Sequence, residues 1–171
     1  MNIRYATMAD LDDIASVESV CFPVLEAATK EEFEQRIKYF GNHFWLMFDE
    51  GKLIAFVYGF VTDEANLTDE MYENASMHNE NGAWQMIFGV NTLPEYRRCG
   101  YAKELIKKAI LDAREQNRRG LVLTCKESLV PYYSKFGFID EGITDKSTHG
   151  NVLWHQMRLD FELRNNGVKQ I

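Results

Sequence analysis

Cysteine and proline are scarce in this chain of 171 residues, with three of each. The cysteines are Cys21, Cys99 and Cys125, and no two of them form a CxxC pair. This spacing indicates neither a zinc knuckle nor a disulfide framework. The four histidines also lack the HxxxH and HExxH spacings that place two ligands on one helix face. We therefore expect no structural or catalytic metal.

Long apolar runs are absent too. No run of 18 or more apolar residues occurs, so we expect no membrane span. The first ten residues have neither a basic n-region nor an apolar h-region, which predicts no secretory signal and a cytoplasmic location. The net charge of −7 disfavours nucleic acid as a partner. One interpretation of this negative charge is that it keeps the protein in solution. The other is that it attracts amine substrates.

The order of predicted elements favours a single domain over residues 1–163, followed by a polar tail at 164–171. Helices alternate with strands in the second half and a hairpin lies in the first half, which is typical of a mixed α/β sheet. Strands are predicted at 2–6, 43–48, 53–62, 84–92, 121–125, 138–142 and 151–159, and helices at 7–20, 30–40, 98–117 and 129–136. The polar stretch 63–82 is predicted to be a mobile excursion with a short helix near 68–75, and a substrate lid containing His78 is one possibility there.

Local signals support several of these boundaries. Thr7 with Asp10 and Thr29 with Glu32 have the spacing of capping boxes. Gly41 is a suitable end for the second helix. Gly89 interrupts the strand 84–92, and a glycine inside a strand often marks a bulge.

The stretch from Val90 to Ala102 joins this strand to a long amphipathic helix. The first N–H groups of a helix have no partner within it and carry the positive end of the helix dipole, so they can hold a pyrophosphate. Gly100 would let such a ligand approach closely. The chain has neither GxxxxGK[ST] nor GxGxxG after its first strand, which excludes a P-loop and a dinucleotide fingerprint. An ordinary helix start with exposed arginines is the alternative.

The pattern Arg97-x-x-Gly100-x-Ala102 resembles the [Q/R]-x-x-G-x-[G/A] motif of GNAT acetyltransferases. The resemblance implies the GNAT fold, a central mixed sheet of about seven strands flanked by about four helices, with acetyl-CoA as co-substrate. It implies that the amides from Arg98 to Lys103 bind pyrophosphate, and that the strand Phe88–Thr92 splays and pairs with the pantetheine arm. A free N–H at Gly89 would polarise the thioester carbonyl. The implied cofactor-binding residues are Phe88, Gly89, Val90, Asn91, Thr92, Arg97, Arg98, Cys99, Gly100, Tyr101, Ala102, Lys103, Ser128 and Tyr133.

A second GNAT-like motif, Y-x-x-x-G-F, begins at Tyr133. In the family this tyrosine often lies near the coenzyme A sulfur, so the resemblance implies that Tyr133 is a general acid. A phenol with a pKa near ~10 can protonate a thiolate whose conjugate acid has a pKa near ~8.5. Packing of the ring beside Phe136 and Phe138 is the alternative role. Ser128 is predicted to cap the short helix that carries Tyr133.

The whole chain is most similar to the arylalkylamine N-acetyltransferase-like branch, which implies a small primary amine as the acceptor. Cys21-Phe22-Pro23 with Glu26-Ala27-Ala28, the strand 53–59 and the junction 125–133 carry this resemblance. Vertebrate members have two histidines on the strand before the pyrophosphate turn, where this chain has Met86 and Phe88. The base is therefore assigned to His149, with Glu26, Asp63, Glu64 and water chains as alternatives. The expected acceptor-binding residues are Phe22, Glu26, Tyr58 and Trp84.

Two other functions share the same cofactor motifs. Acetylation of a protein N-terminus or lysine is one, and a non-catalytic acyl-CoA-binding sensor is the other. The missing histidine pair motivates the sensor. Family resemblance also implies a possible homodimer.

Overall fold

A computed structural model describes residues 1–146 and 152–163. Its strands are β1 (Asn2–Tyr5), β2 (Phe44–Asp49), β3 (Lys52–Tyr58), β4 (Val61–Thr62), β5 (Trp84–Ile87), β6 (Gly89–Thr92), β7 (Gly120–Cys125), β8 (Ile139–Thr144) and β9 (Trp154–Asp160). Its α-helices are α1 (Leu11–Cys21), α2 (Lys30–Phe40), α3 (Asp69–Glu73), α4 (Tyr101–Glu115) and α5 (Val130–Ser134). Within the described ranges, every helix is too short or too polar to cross a bilayer.

The strands form two sheets, ordered β1-β2-β3-β6 and β4-β5-β7-β9-β8. The pair β5–β7 is parallel and its neighbours are antiparallel, so the predicted mixed α/β sheet is confirmed. Nine strands replace the expected seven because two long strands are each interrupted once. One break separates β3 from β4, and the other, at Phe88, separates β5 from β6.

These two breaks lie side by side. The amide of Phe88 donates to the carbonyl of Tyr58, and the amide of Met86 donates to the carbonyl of Phe60. A Cβ on Gly59 would lie 1.9 Å from the Met86 carbonyl oxygen, so only glycine permits this close approach. The interruption that we predicted at Gly89 therefore occurs one residue earlier, and it is coupled to Gly59 on the neighbouring strand.

Two apolar cores lie on opposite faces of the sheets. The first packs α1 and α2 against the strands and is rich in stacked and edge-on aromatic rings, including Phe33, Phe40 and Phe44. The second packs α4 against the other face through Leu105 and Ala109. Burial of large apolar side chains on both faces is the main driving force for this fold.

Helix boundaries follow local chemistry. At α2 the predicted capping box is present, because the Glu32 amide donates to the Thr29 hydroxyl and the Thr29 amide donates to the Glu32 carboxylate. The long helix was predicted to begin near Arg98, but α4 begins at Tyr101. Arg98 and Gly100 have φ values of 62° and 84°, in the left-handed region, so they cannot continue a right-handed helix.

The stretch 63–82 differs from our prediction of a mobile excursion. It contains the expected short helix, α3, but distant parts of the chain hold it in place. The Leu67 amide donates to the Gln156 side chain, and the Arg158 guanidinium donates to the Ala65 carbonyl. At its far end His78 packs against Phe40. These partners fix the segment against both β9 and α2.

Candidate active site

A gap opens where β6 and β7 separate. β5 pairs with β7 from Trp84 and Gly120 as far as Ile87 and Leu123. Beyond that point the chain turns at Phe88, β6 pairs with β3, and the end of β7 pairs with β9. Residues of both strands before the divergence are buried, whereas those after it become partly exposed, namely Phe88, Gly89, Val90, Thr92 and Thr124. The splay implied by the resemblance is therefore present, and its closed end lies at Ile87 and Leu123.

The register of β6 determines which backbone groups face this gap. The Leu93 amide donates to the Ile54 carbonyl, and hydrogen-bonded pairs alternate along antiparallel strands. Val90 and Thr92 therefore direct their N–H and C=O groups away from β3. In agreement, the Thr92 carbonyl accepts hydrogen bonds from Arg97 and Cys21 on that outer side. An extended ligand with amide groups can bind Val90 as an additional strand would.

The same alternation bears on the polarising N–H that we expected at Gly89. Gly89 is opposite Tyr58 in a pair whose backbone groups face β3. The amide of Val90, one residue later, faces the gap instead. Val90 is therefore the better-placed donor for a thioester carbonyl, and the contribution of Gly89 is its lack of a side chain, because a Cβ there would lie 2.6 Å from the Tyr58 ring.

The turn after β6 positions the first backbone amides of α4 so that they can bind an anion. Arg97 is fastened to the end of β6 by its Nε, 3.0 Å from the Thr92 carbonyl oxygen. The first helical hydrogen bond runs from the Glu104 amide to the Gly100 carbonyl. The amides that precede Glu104 therefore have no acceptor within the helix, as in any helix start. Exposed Arg98 and Lys103 add positive charge here, so the turn predicted to bind pyrophosphate has suitable geometry and charge.

Tyr133 lies on α5 and is almost fully buried, with 7% of its surface exposed. Its ring is 5.1 Å from that of Tyr132 and 6.2 Å from that of Phe138, both edge-on. Burial raises the pKa of the Tyr133 hydroxyl, so the phenol keeps its proton at neutral pH. A general acid must carry its proton, but the raised pKa also makes this phenol a weaker proton donor, and the ring contacts agree with the packing role. The proposed cap residue Ser128 lies within a 3₁₀ turn, Glu127–Leu129, before the helix, so its capping role is wrong.

Two of the four expected acceptor residues belong to the core. Tyr58 is 3% exposed, and its hydroxyl accepts a hydrogen bond from Arg36 at 3.1 Å. Trp84 is 6% exposed, and it lies at the beginning of β5 beneath the guanidinium of Arg158, four residues from the gap. We therefore withdraw both as acceptor contacts. Phe22 and Glu26 lie in the loop between α1 and α2, where Phe22 is partly exposed and Glu26 is exposed, and their role stays a prediction.

The catalytic assignment of His149 lies outside the described residues, so it also stays a prediction. The side chain of Asn91 differs from what we expected of a cofactor-binding residue. It is buried and donates to Glu18 at 2.8 Å, on the face of β6 that packs against α1. The side chain of Asn91 is therefore unavailable to the cofactor, and by the same alternation its backbone N–H and C=O face β3 rather than the gap.

Glu18 is a buried carboxylate that sequence analysis did not identify. It accepts hydrogen bonds from Asn91 and from the Ala28 amide, and burial raises its pKa. These bonds tie α1 to both β6 and the end of the Phe22–Ala28 loop. A sequence signal existed, because Glu18 falls at the helical spacing of Leu11 and Ile14 on the apolar face of α1.

One group of three side chains has the spacing of a metal site within the described residues. His43, His78 and Glu80 have ligand atoms within 4.8 Å of one another. The Val61 amide donates to Nδ1 of His78, so the proton of that ring is on Nε2, the nitrogen that would have to bind a metal. This hydrogen-bond arrangement does not fit a metal centre.

Comparison with known proteins yields one family and several structural neighbours. Residues 11–138 match the model of the family described as Acetyltransferase (GNAT) family. Over 93 residues the chain is 32% identical to serotonin N-acetyltransferase of Mesocricetus auratus. The matched region makes up 53% of this chain but only 43% of that enzyme. The loading GNATL domain of CurA from Lyngbya majuscula superimposes with a TM-score of 0.81 at 17% identity, over 95% of this chain and 98% of that domain. The GphF GNAT-like decarboxylase, solved in complex with isobutyryl-CoA, superimposes with a TM-score of 0.77 at 17% identity, over 94% and 99% of the two chains.

Proposed function

Because the chain belongs to the acetyltransferase (GNAT) family, we propose that it transfers the acetyl group of acetyl-CoA to the primary amine of a small molecule, an arylalkylamine or a polyamine. The observation that carries this proposal is the gap between β6 and β7. This gap extends from the amides at the beginning of α4, and the backbone N–H and C=O groups of Val90 face it. A pantetheine arm in this gap would lie between those amides and the closed end.

The proposed reaction is a direct attack. The neutral amine attacks the thioester carbonyl carbon, the N–C bond forms and the C–S bond breaks. Tyr133 gives its proton to the leaving thiolate, and the proton that the nitrogen loses on becoming an amide restores the Tyr133 hydroxyl. The Val90 amide stabilises the negative charge that develops on the carbonyl oxygen. The ammonium proton must be removed first, because an alkylamine with a pKa near ~10 is only about 0.1% neutral at pH 7. We assign that step to His149, with Glu26, Asp63, Glu64 and water as the alternatives.

Similarity to serotonin N-acetyltransferase supports a small amine as the acceptor. The net charge of −7 supports attraction of a cation toward the protein. We propose in addition that the protein is cytoplasmic and forms a homodimer.

The test is release of free thiol from acetyl-CoA in the presence of a panel of arylalkylamines, polyamines and short peptides. We expect turnover with at least one small amine and a lower kcat/KM with every peptide. Preferred turnover of peptides would favour the protein N-acetyltransferase alternative. Tight binding of acetyl-CoA without turnover of any acceptor would contradict the proposal and favour the sensor.

A further inference from the structure

Tyr72 extends from α3 to the closed end of the gap. Its ring lies 4.7 Å from that of Phe88, and its hydroxyl lies beside the Thr124 side chain. Phe88 and Thr124 are the first residues beyond the last paired positions of β5 and β7. Tyr72 therefore joins the two diverging strands at the point where the proposed thioester would end.

The backbone of Tyr72 is held in place by Arg36, a residue of α2 that is 4% exposed. One Arg36 nitrogen donates to the Tyr72 carbonyl at 2.9 Å, and the other donates to the Tyr58 hydroxyl at 3.1 Å. A carboxylate of α2, Glu32, accepts a further hydrogen bond from Arg36 at 3.3 Å. These bonds hold the backbone of Tyr72 in place, so its side chain lies at the gap with little conformational freedom.

The environment of Tyr72 suits recognition of an amine with an apolar body. Tyr72, Phe88 and Thr124 all retain partial exposure, although Met71 and Met86 beside them are buried. Two aromatic rings at 4.7 Å provide a wall for an aryl group or a cation. Burial raises the pKa of the Tyr72 hydroxyl to about 12, so the group is a neutral phenol that can both donate and accept hydrogen bonds.

We infer, on the basis of the proposed function, that Tyr72 contacts the acceptor amine and determines which amines are acetylated. Its ring and that of Phe88 bind the body of the acceptor, and its hydroxyl, beside Thr124, accepts a hydrogen bond from the attacking nitrogen. Tyr72 thereby acts on the acceptor side of the gap, whereas Tyr133 is assigned to the coenzyme side.

Three variants and one control test this role. Tyr72→Phe keeps the ring and removes the hydroxyl, Thr124→Val removes the neighbouring hydroxyl, and Tyr72→Leu removes the ring. Tyr39→Phe is the matched control, since Tyr39 is an exposed tyrosine of α2. We expect Tyr72→Phe to raise the KM for the amine roughly five-fold, with the KM for acetyl-CoA unchanged. Tyr72→Leu should lower kcat/KM more for phenethylamine than for spermidine.

The outcomes are distinguishable. Equal KM values for the amine in Tyr72→Phe, Tyr39→Phe and the wild type would overturn the inference, as would a parallel rise in the KM for acetyl-CoA. If the wild type acetylates no amine, the proposed function fails, and calorimetric binding of phenethylamine to the protein–coenzyme A complex becomes the measurement. Weaker binding in Tyr72→Phe then supports acceptor contact, and equal or absent binding overturns it.

Discussion

The backbone N–H of Val61 donates to Nδ1 of His78 over 3.0 Å. This bond places the proton of the imidazole on Nε2, where it is donated to Glu80 at 2.9 Å. Protonation of Nδ1 would replace an acceptor with a donor that faces another donor. The structure thus favours the neutral ring, and burial together with the neighbouring His43 lowers the pKa of His78 below its ordinary value of 6.5.

The pH dependence of stability follows from this pKa. Below pH 6.5 the unfolded chain takes up a proton at His78 that the folded chain does not, so stability is full above pH 6.5 and decreases as the pH falls. One proton contributes a slope of at most about 1.4 kcal/mol per pH unit. We expect His78→Gln, which keeps an acceptor and removes the titration, to flatten the curve between pH 6.5 and the folded-state pKa.

Urea unfolding at several pH values measures both proteins, and ¹⁵N NMR identifies the His78 tautomer. A His78 ring that protonates at or above pH 6.5 in the folded protein would contradict this interpretation.

Gly100 allows a second prediction with a matched control. Gly100 and Gly51 both have φ of 84°, and an added Cβ would contact nothing within 4 Å at either position. Alanine should therefore cost the same backbone strain, about 1 kcal/mol, at both sites. Only Gly100 precedes the amides assigned to the pyrophosphate, whereas Gly51 lies in the β2–β3 hairpin.

We expect Gly100→Ala to weaken coenzyme A binding roughly ten-fold, as measured by calorimetry. The reason is that a displaced helix start no longer directs its N–H groups at the pyrophosphate. Gly51→Ala should leave that affinity unchanged while lowering Tm to a similar extent. Equal affinities in the two variants would remove the assignment of the pyrophosphate to this turn.

Local sequence signals predicted the elements that depend on near neighbours. The Thr29–Glu32 capping box and the Gly100 turn are examples, since each is determined within a few residues. The segment 63–82 was misjudged because its partners are remote in sequence, as in the bond between Leu67 and Gln156, 89 residues apart. The same reason explains why Tyr72 was missed and Trp84 was wrongly placed. Aromatic content alone does not distinguish a residue at the splay from one four positions earlier in the core.

Tyr133 is the subject of a third prediction. If its hydroxyl protonates the leaving thiolate, Tyr133→Phe should lower kcat at least ten-fold, a loss within the range of general acid catalysis, while coenzyme A affinity is retained. Tyr132→Phe removes the hydroxyl of the adjacent ring, 5.1 Å away, and should keep kcat within about two-fold. Steady-state kinetics and calorimetry on both variants provide the measurement. Wild-type kcat in Tyr133→Phe would show that the residue only packs beside Phe138.

Asp112 is a buried carboxylate of α4 that connects three elements away from the gap. It accepts hydrogen bonds from Tyr5 at 2.6 Å, Trp45 at 2.8 Å and Lys108 at 2.8 Å. Burial opposes its ionisation, but the bonds from Lys108, Tyr5 and Trp45 outweigh burial and lower the pKa of Asp112 below 3.8. Its contribution to stability is therefore present above pH 3.8 and is lost as the pH falls through the lowered folded-state pKa.

Replacement of Asp112 should separate stability from function. Asp112→Ala leaves the indole N–H of fully buried Trp45 without an acceptor, and we expect a loss of about 2 kcal/mol in the free energy of unfolding. Asp112→Asn can still accept from Trp45 and Tyr5 through its amide oxygen, while Lys108 turns to solvent, so its loss should be less than half as large. Urea unfolding followed by tryptophan fluorescence measures both. Coenzyme A affinity should stay at the wild-type value in each variant, because Asp112 lies in the last turn of α4 and the anion is assigned to its beginning. Equal losses in the two variants would mean that the negative charge of Asp112, rather than its hydrogen-bond acceptors, stabilises this junction.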